Sequence, residues 1–173
     1  VLTGAPGSGK TALLRALELE EIAVVEEAAT DVIALAQATG VDAPWERDDF
    51  VDRILDLQRR REAAATGAVV VFDRSPVCTL ALSRFLGWAP SAALTAELER
   101  IDREATYARD VLFVENLGFC APSAARRISF EEALRFEAVH REAYLELGYR
   151  LTPIPPGPLA DRVVAALDAL AAD

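Results

Sequence analysis

The sequence predicts a three-layer α/β fold: a mainly parallel sheet of five strands covered by helices on both faces. Three observations carry that prediction. Short apolar, β-branched runs alternate with helical stretches along the whole chain, and strands joined by helical crossovers form parallel sheets buried on both sides. A glycine-rich turn joins the first strand to the first helix, as in folds that place a ligand at the carboxyl ends of their strands. The length of 173 residues and a hydrophobic share of 52% suit one packed globular domain, expected over residues 1–173.

Each element has its own signal. Val1-Leu2-Thr3 reads as the end of a first strand, so a few residues are expected to precede the printed sequence. Gly4 to Thr11 is the glycine-rich turn, and Thr11 to Leu19 continues as a helix. Ile22 to Val25 is a second strand. A helix starting near Thr30 or Asp31 is stopped by Gly40, and Pro44-Trp45 breaks the chain again. Arg47 to Ala65 reads as a long helix with Phe50, Val51, Ile54, Leu55 and Gln58 on one side. Ala68 to Phe72 is continuously apolar, which predicts a strand buried on both faces. Ser75-Pro76 opens a helix that Gly87 closes, since proline is well tolerated in a first turn. Ala92 to Ala108 is a further helix, Asp110 to Val114 a fourth strand and Asn116 to Arg127 a loop. Phe130, Ala133, Leu134, Ala143, Tyr144 and Leu147 line one face of a long helix ended by Gly148. Tyr149 to Ile154 is the last strand, and a helix over Leu159 to Leu170 follows a proline-rich turn.

Lys+Arg number 18 against 28 Asp+Glu, a formal charge of −10. Nothing here supplies the basic face that phosphate backbones need, so neither nucleic acid nor an anionic membrane is expected as a partner. No apolar run reaches the roughly 20 residues that span a bilayer, and no signal peptide is visible, so the expected location is the cytoplasm. The two cysteines, Cys78 and Cys120, lack metal spacing and read as buried thiols of a reducing compartment. The only histidine, His140, reads as structural or surface. Of the 18 basic residues, 17 are arginine and one is lysine, Lys10.

That lysine closes Gly4-Ala5-Pro6-Gly7-Ser8-Gly9-Lys10-Thr11, which satisfies G-x-x-x-x-G-K-[ST] with a strand before it and a helix after. Glycines let the backbone curl so that successive N–H groups face phosphate oxygens, and the helix adds the positive end of its dipole. Lys10 is expected at the β- and γ-phosphates and the Thr11 hydroxyl on Mg²⁺, so ATP and Mg²⁺ are the expected ligands of a P-loop NTPase fold. Around the strand ends stand Glu26 and Glu27, Asp73 and Arg74, and Glu115. Asp73, ending an apolar run, is suited to hold Mg²⁺ through water. Arg74 can bridge an acceptor hydroxyl and the moving phosphoryl group. Glu26 or Glu27 can take the proton of an attacking hydroxyl. Trp45 is the aromatic residue best placed to touch a ligand, and Arg59-Arg60-Arg61 reads as a solvated helix face.

The phosphate loop, Val24-Val25-Glu26-Glu27-Ala28-Ala29, Asp73-Arg74-Ser75-Pro76 and the Leu145-to-Tyr149 segment with the prolines after it together resemble small bacterial AAA-type P-loop proteins related to nucleoside and ribosylnicotinamide kinases. The resemblance covers essentially the whole chain and implies a nucleoside-kinase-like fold. It implies transfer of the γ-phosphoryl group of ATP to a small hydroxylated acceptor, nucleoside- or riboside-like, with a non-catalytic or slowly hydrolysing nucleotide-dependent binding or regulatory protein as the alternative and an ATPase as the further choice. It implies Glu27 as the base, with Glu26 second, and Asp73 and Arg74 as Mg-linked acid and phosphate-binding arginine. It also implies a helical lid region over about 116–147 carrying Arg126 and Arg127. The chain departs from AAA+ machines in lacking a recognisable second domain or sensor arrangement, so an unfolding motor is not expected. A homodimer is left open.

Overall fold

A computed structural model describes residues 1–119 and 128–172. Five short strands, β1 (Leu2–Thr3), β2 (Ala23–Val25), β3 (Val70–Phe72), β4 (Asp110–Val114) and β5 (Arg150–Ile154), alternate with seven helices among the described residues. These are α1 (Lys10–Leu19), α2 (Ala28–Ala38), α3 (Phe50–Ala64), α4 (Pro76–Phe85), α5 (Ala92–Arg103), α6 (Phe130–Glu146) and α7 (Leu159–Ala171), with a 3-10 turn at Pro44–Glu46. All strand pairs are parallel.

The expected five-stranded sheet is corrected. β1, β4 and β5 form a three-stranded sheet and β2 and β3 a separate pair. A single parallel bridge, Leu2 with Asp73, connects the two, with the Arg74 N–H donating to Leu2 O at 3.0 Å. The reason is the length of β1. Two residues cannot ladder with neighbours on both sides before the phosphate loop turns away. The connected order is therefore β2-β3-β1-β4-β5, with β1 at the junction.

Three layers result, and β4 shows why. Leu112 and Val114 point into a core shared with Leu13, Leu14 and Leu17 of α1 and Ala166 of α7. Val111 points the other way, into a core of α3, α4, α5 and α6 side chains that includes Leu55, Leu80, Ile101 and Tyr144. Alternate residues of a strand face opposite sides, so an uninterrupted apolar run fills both cores. β3 does the same over fewer residues than expected: Val71 enters the first core and Phe72 packs against the second, while the ladder begins only at Val70 and Val69, before it, is 46% exposed.

Local chemistry sets the helix ends. Pro76 opens α4, and the Ser75 hydroxyl accepts from the Val77 N–H at 3.3 Å. α5 stops at Arg103 rather than Ala108, because Ala105 takes a left-handed φ of 48°. α6 opens on a capping box, Ser129 with Glu132.

Candidate functional site

The phosphate loop leaves β1 as expected. Gly4, Gly7 and Gly9 have φ of 133°, 84° and 83°, a region that L side chains avoid. A Cβ on Gly4 would stand 2.2 Å from Val114 O, so glycine is also required by the close passage over β4. Ala5 and Ser8 are fully buried behind the loop. Lys10 is buried too, and its ammonium donates to Gly4 O at 3.1 Å, Ala5 O at 2.7 Å and Ser8 Oγ at 3.4 Å. Burial, with Arg74 nearby, lowers its pKa to about 8.

Pro6, Gly7, Gly9, Lys10 and Thr11 line a cavity of about 570 Å³. Glu27, Asp73 and Arg74 line the same cavity. Its other walls are apolar and aromatic, with Ile33, Trp45, Phe50, Leu82, Phe85 and Phe136. Gln58 adds a polar group there, its Oε1 accepting from Thr79 Oγ1 at 2.8 Å. Most of the residues expected at the site are thus brought together. Glu26 is not, being exposed and paired with Arg15, and Glu115 does not line the cavity. Arg126, Arg127 and Cys120 lie outside the described residues.

Three charged groups meet at the centre. Arg74 Nε donates to Glu27 Oε1, and Thr30 Oγ1 donates to Glu27 Oε2 at 2.7 Å. Glu27 is also the residue from which α2 starts, so the positive end of that helix favours its charge. Burial pushes its carboxyl up, but Arg74, Lys10 and Thr30 pull it below the usual carboxylate range. It is therefore ionised at neutral pH. Asp73 differs. It is 4% exposed, and its Oδ1 has no hydrogen-bond partner. Burial raises its pKa against the pull of Lys10.

That orphaned oxygen tests whether a metal fits. A buried carboxylate oxygen beside a phosphate loop calls for a cation or its water. Among the described residues no three His, Cys, Asp or Glu side chains cluster around one point, so a cage made wholly of protein is not present. One carboxylate and one hydroxyl, Asp73 and Thr11, suit Mg²⁺, which takes its remaining ligands from phosphate and water.

Two site residues escaped the sequence reading. His140 is fully buried, so the structural alternative holds and the surface one does not, but its link to the site was not foreseen. Its Nδ1–H donates to Phe136 O at 2.8 Å, leaving Nε2 to accept from Arg74 Nη1 at 2.7 Å. Burial and the arginine charge hold it far below its ordinary pKa, hence neutral. Arg74 itself has a left-handed φ of 73°, so Glu27 and His140 fix a side chain whose backbone is already strained. The second is Arg61, expected to be solvated. It donates to Glu26 O at 2.9 Å and Glu27 O at 3.0 Å and pairs with Asp31, which holds the start of α2. An apolar environment around a lone histidine in a helix was the one available clue to the first. Nothing in an Arg-Arg-Arg run marks the second.

Among the described residues no helix is long and apolar enough to cross a membrane. No curated protein matches the chain. A family model described as an AAA domain matches residues 1–162. That span takes in every residue that lines the cavity, and by it the chain belongs to the AAA-domain family of nucleotide-binding P-loop proteins.

Proposed function

We propose that the chain is a Mg²⁺-dependent phosphotransferase that moves the γ-phosphoryl group of ATP to a small hydroxylated acceptor, nucleoside- or riboside-like. The observation that supports this reading is the lining of the cavity. Apolar and aromatic side chains share it with the phosphate loop, Glu27 and Arg74, and they offer an acceptor a wall that an attacking water would not need. In this reading Lys10 and the loop N–H groups hold the triphosphate, while Thr11 and Asp73 hold the metal. Bound Mg²⁺ supplies charge neutralisation at the phosphate oxygens. Arg74 offers its guanidinium to the transferring group, and the trio with Glu27 and His140 keeps it aimed there. The acceptor oxygen bonds to the γ-phosphorus, the bridging P–O bond breaks with its electrons leaving on ADP, and the hydroxyl proton passes to Glu27. A carboxylate held below its usual pKa is a weak base. That suits a loose transition state, in which the proton moves late. Kinship with kinases lies outside the family match and belongs to this proposal, as does a cytoplasmic location.

One observation favours a nucleotide-dependent binding protein instead: Arg74 and Glu27 are spent on each other. The two readings part on an ATP-consumption screen of the purified protein against hydroxylated metabolites. Acceptor-dependent turnover is expected. Glu27→Gln should lower it by about a hundredfold with ATP binding kept, and Glu26→Gln should leave it intact. ATP binding without turnover on any acceptor would favour the binding protein.

A further inference from the structure

Arg162 is a cation that no role so far explains. It sits in the first turn of α7 and is 4% exposed. Its guanidinium crosses to the phosphate loop, where Nη2 donates to Ser8 O at 2.7 Å. Nη1 lies 2.7 Å from where a Cβ on Gly9 would stand. Nε is buried without a partner. No carboxylate among the described residues pairs with it, and burial alone lowers its pKa. A buried charge without a counter-ion opposes folding. A cation in a helix's first turn also faces the positive end of the dipole. Each term argues that Arg162 destabilises the empty fold, and an anion in the adjoining loop would offset both.

We propose that Arg162 is a nucleotide-binding residue, whose charge, delivered from α7 to the back of the loop, joins Lys10 in holding the polyphosphate. Its bond to Ser8 O also occupies a loop carbonyl that would otherwise repel an anion. The inference rests on the nucleotide-binding reading of the loop. It adds a second cation that the loop motif does not contain.

The test titrates the parent, Arg162→Met, Arg162→Gln and Arg162→Lys with Mg·ATP, Mg·ADP and adenosine, and melts each protein without ligand. For a charge acting on phosphates, Arg162→Met should lose about tenfold or more in ATP affinity, less for ADP and nothing for adenosine. Arg162→Lys should keep most of the affinity that Arg162→Gln loses. Without ligand, Arg162→Met should melt no lower than the parent, because the buried charge is gone. A merely structural clamp gives the opposite: a lower melting temperature and ATP affinity within about twofold of the parent's. That result overturns the inference, as do Gln and Lys variants that bind ATP equally, the comparison that decides if Arg162→Met does not fold. Equal losses for adenosine and ATP overturn it too, since they mean a deformed site. Failure of the parent to bind any nucleotide overturns the nucleotide reading itself, and the parent's titration separates that case from the rest.

Discussion

Lys10 carries the sharpest consequence at the scale of single residues. The chain has one lysine, and the fold buries it on its own loop's oxygen atoms, with no ion pair among the described residues and only the charges of Asp73 and Glu27 nearby. Its ordinary pKa is 10.5, and burial lowers it to about 8. Between those values the unfolded chain binds the proton that the folded chain has released, so stability rises with pH across that window. Below about pH 8 both states are protonated there, and the full cost of burying the charge is present, about 3 kcal/mol. Unfolding followed from pH 7.5 to 10 should therefore show the parent gaining on Lys10→Ala, which lacks the titration. Parallel curves for the two proteins would mean that the ammonium is better solvated than its surroundings suggest. Glu27 shows how a residue-scale question was settled by contact. On the residues alone Glu26 and Glu27 stood as alternatives, since adjacent strand residues point to opposite sides, and only the resemblance put Glu27 first. The chain turns into α2 one residue after Glu27, and Arg74 meets that carboxylate while Arg15 takes the other.

At the scale of elements, the strands and helices were legible because their signals are local. β-branched runs, Ser75-Pro76, Gly87 and Gly148 each act within a turn of themselves. What the sequence hid acts at a distance. α2 begins at Ala28, ahead of Thr30, because Arg61 of α3 holds the carbonyls of Glu26 and Glu27. The two parallel ladders separate because β1 is too short to be shared, which no apolar pattern records. Arg162 and Ser8 meet across a separation of 154 residues. α6 is the element on which most of the hidden structure depends. It carries His140 behind Arg74, and Tyr144, whose hydroxyl lies 2.7 Å from Ser75 Oγ and 3.1 Å from Cys78 Sγ. Its first turn is tied by the Ser129–Glu132 capping box. Ser129→Ala removes one half of that box and should cost about 1 kcal/mol, a fall in melting temperature of about 2–4 °C for a domain of this size. Ser129→Asp should restore most of it. A melting temperature unchanged in Ser129→Ala would mean that packing alone holds α6.

The whole molecule places its site where its sheet is weakest. The chain leaves β1 towards one side for β2 and β3 and returns to the other side for β4 and β5, so the crevice at the ends of β1 and β3 is the topological switch point, where ligands bind in open α/β sheets. That crevice is also the junction of the two ladders, spanned by the single Leu2–Asp73 bridge. A nucleotide held by the loop after β1, with a metal held by Asp73 after β3, would link the two ladders as no backbone pairing does. Binding to the folded state alone stabilises by about 2.7 kcal/mol at one hundred times the dissociation constant, which corresponds to a rise in melting temperature of about 5–10 °C here. ATP with Mg²⁺ should give that rise, and ATP with a chelator a smaller one. Lys10→Ala should give none. Asp73→Asn isolates the metal: its melting temperature should respond to ATP but no longer distinguish Mg²⁺ from chelator. If the parent's shift is the same with and without Mg²⁺, the orphaned oxygen of Asp73 serves some purpose other than the metal. If Asp73→Asn keeps the full difference between Mg²⁺ and chelator, the ion is held without it, and the ladders are linked through the loop alone.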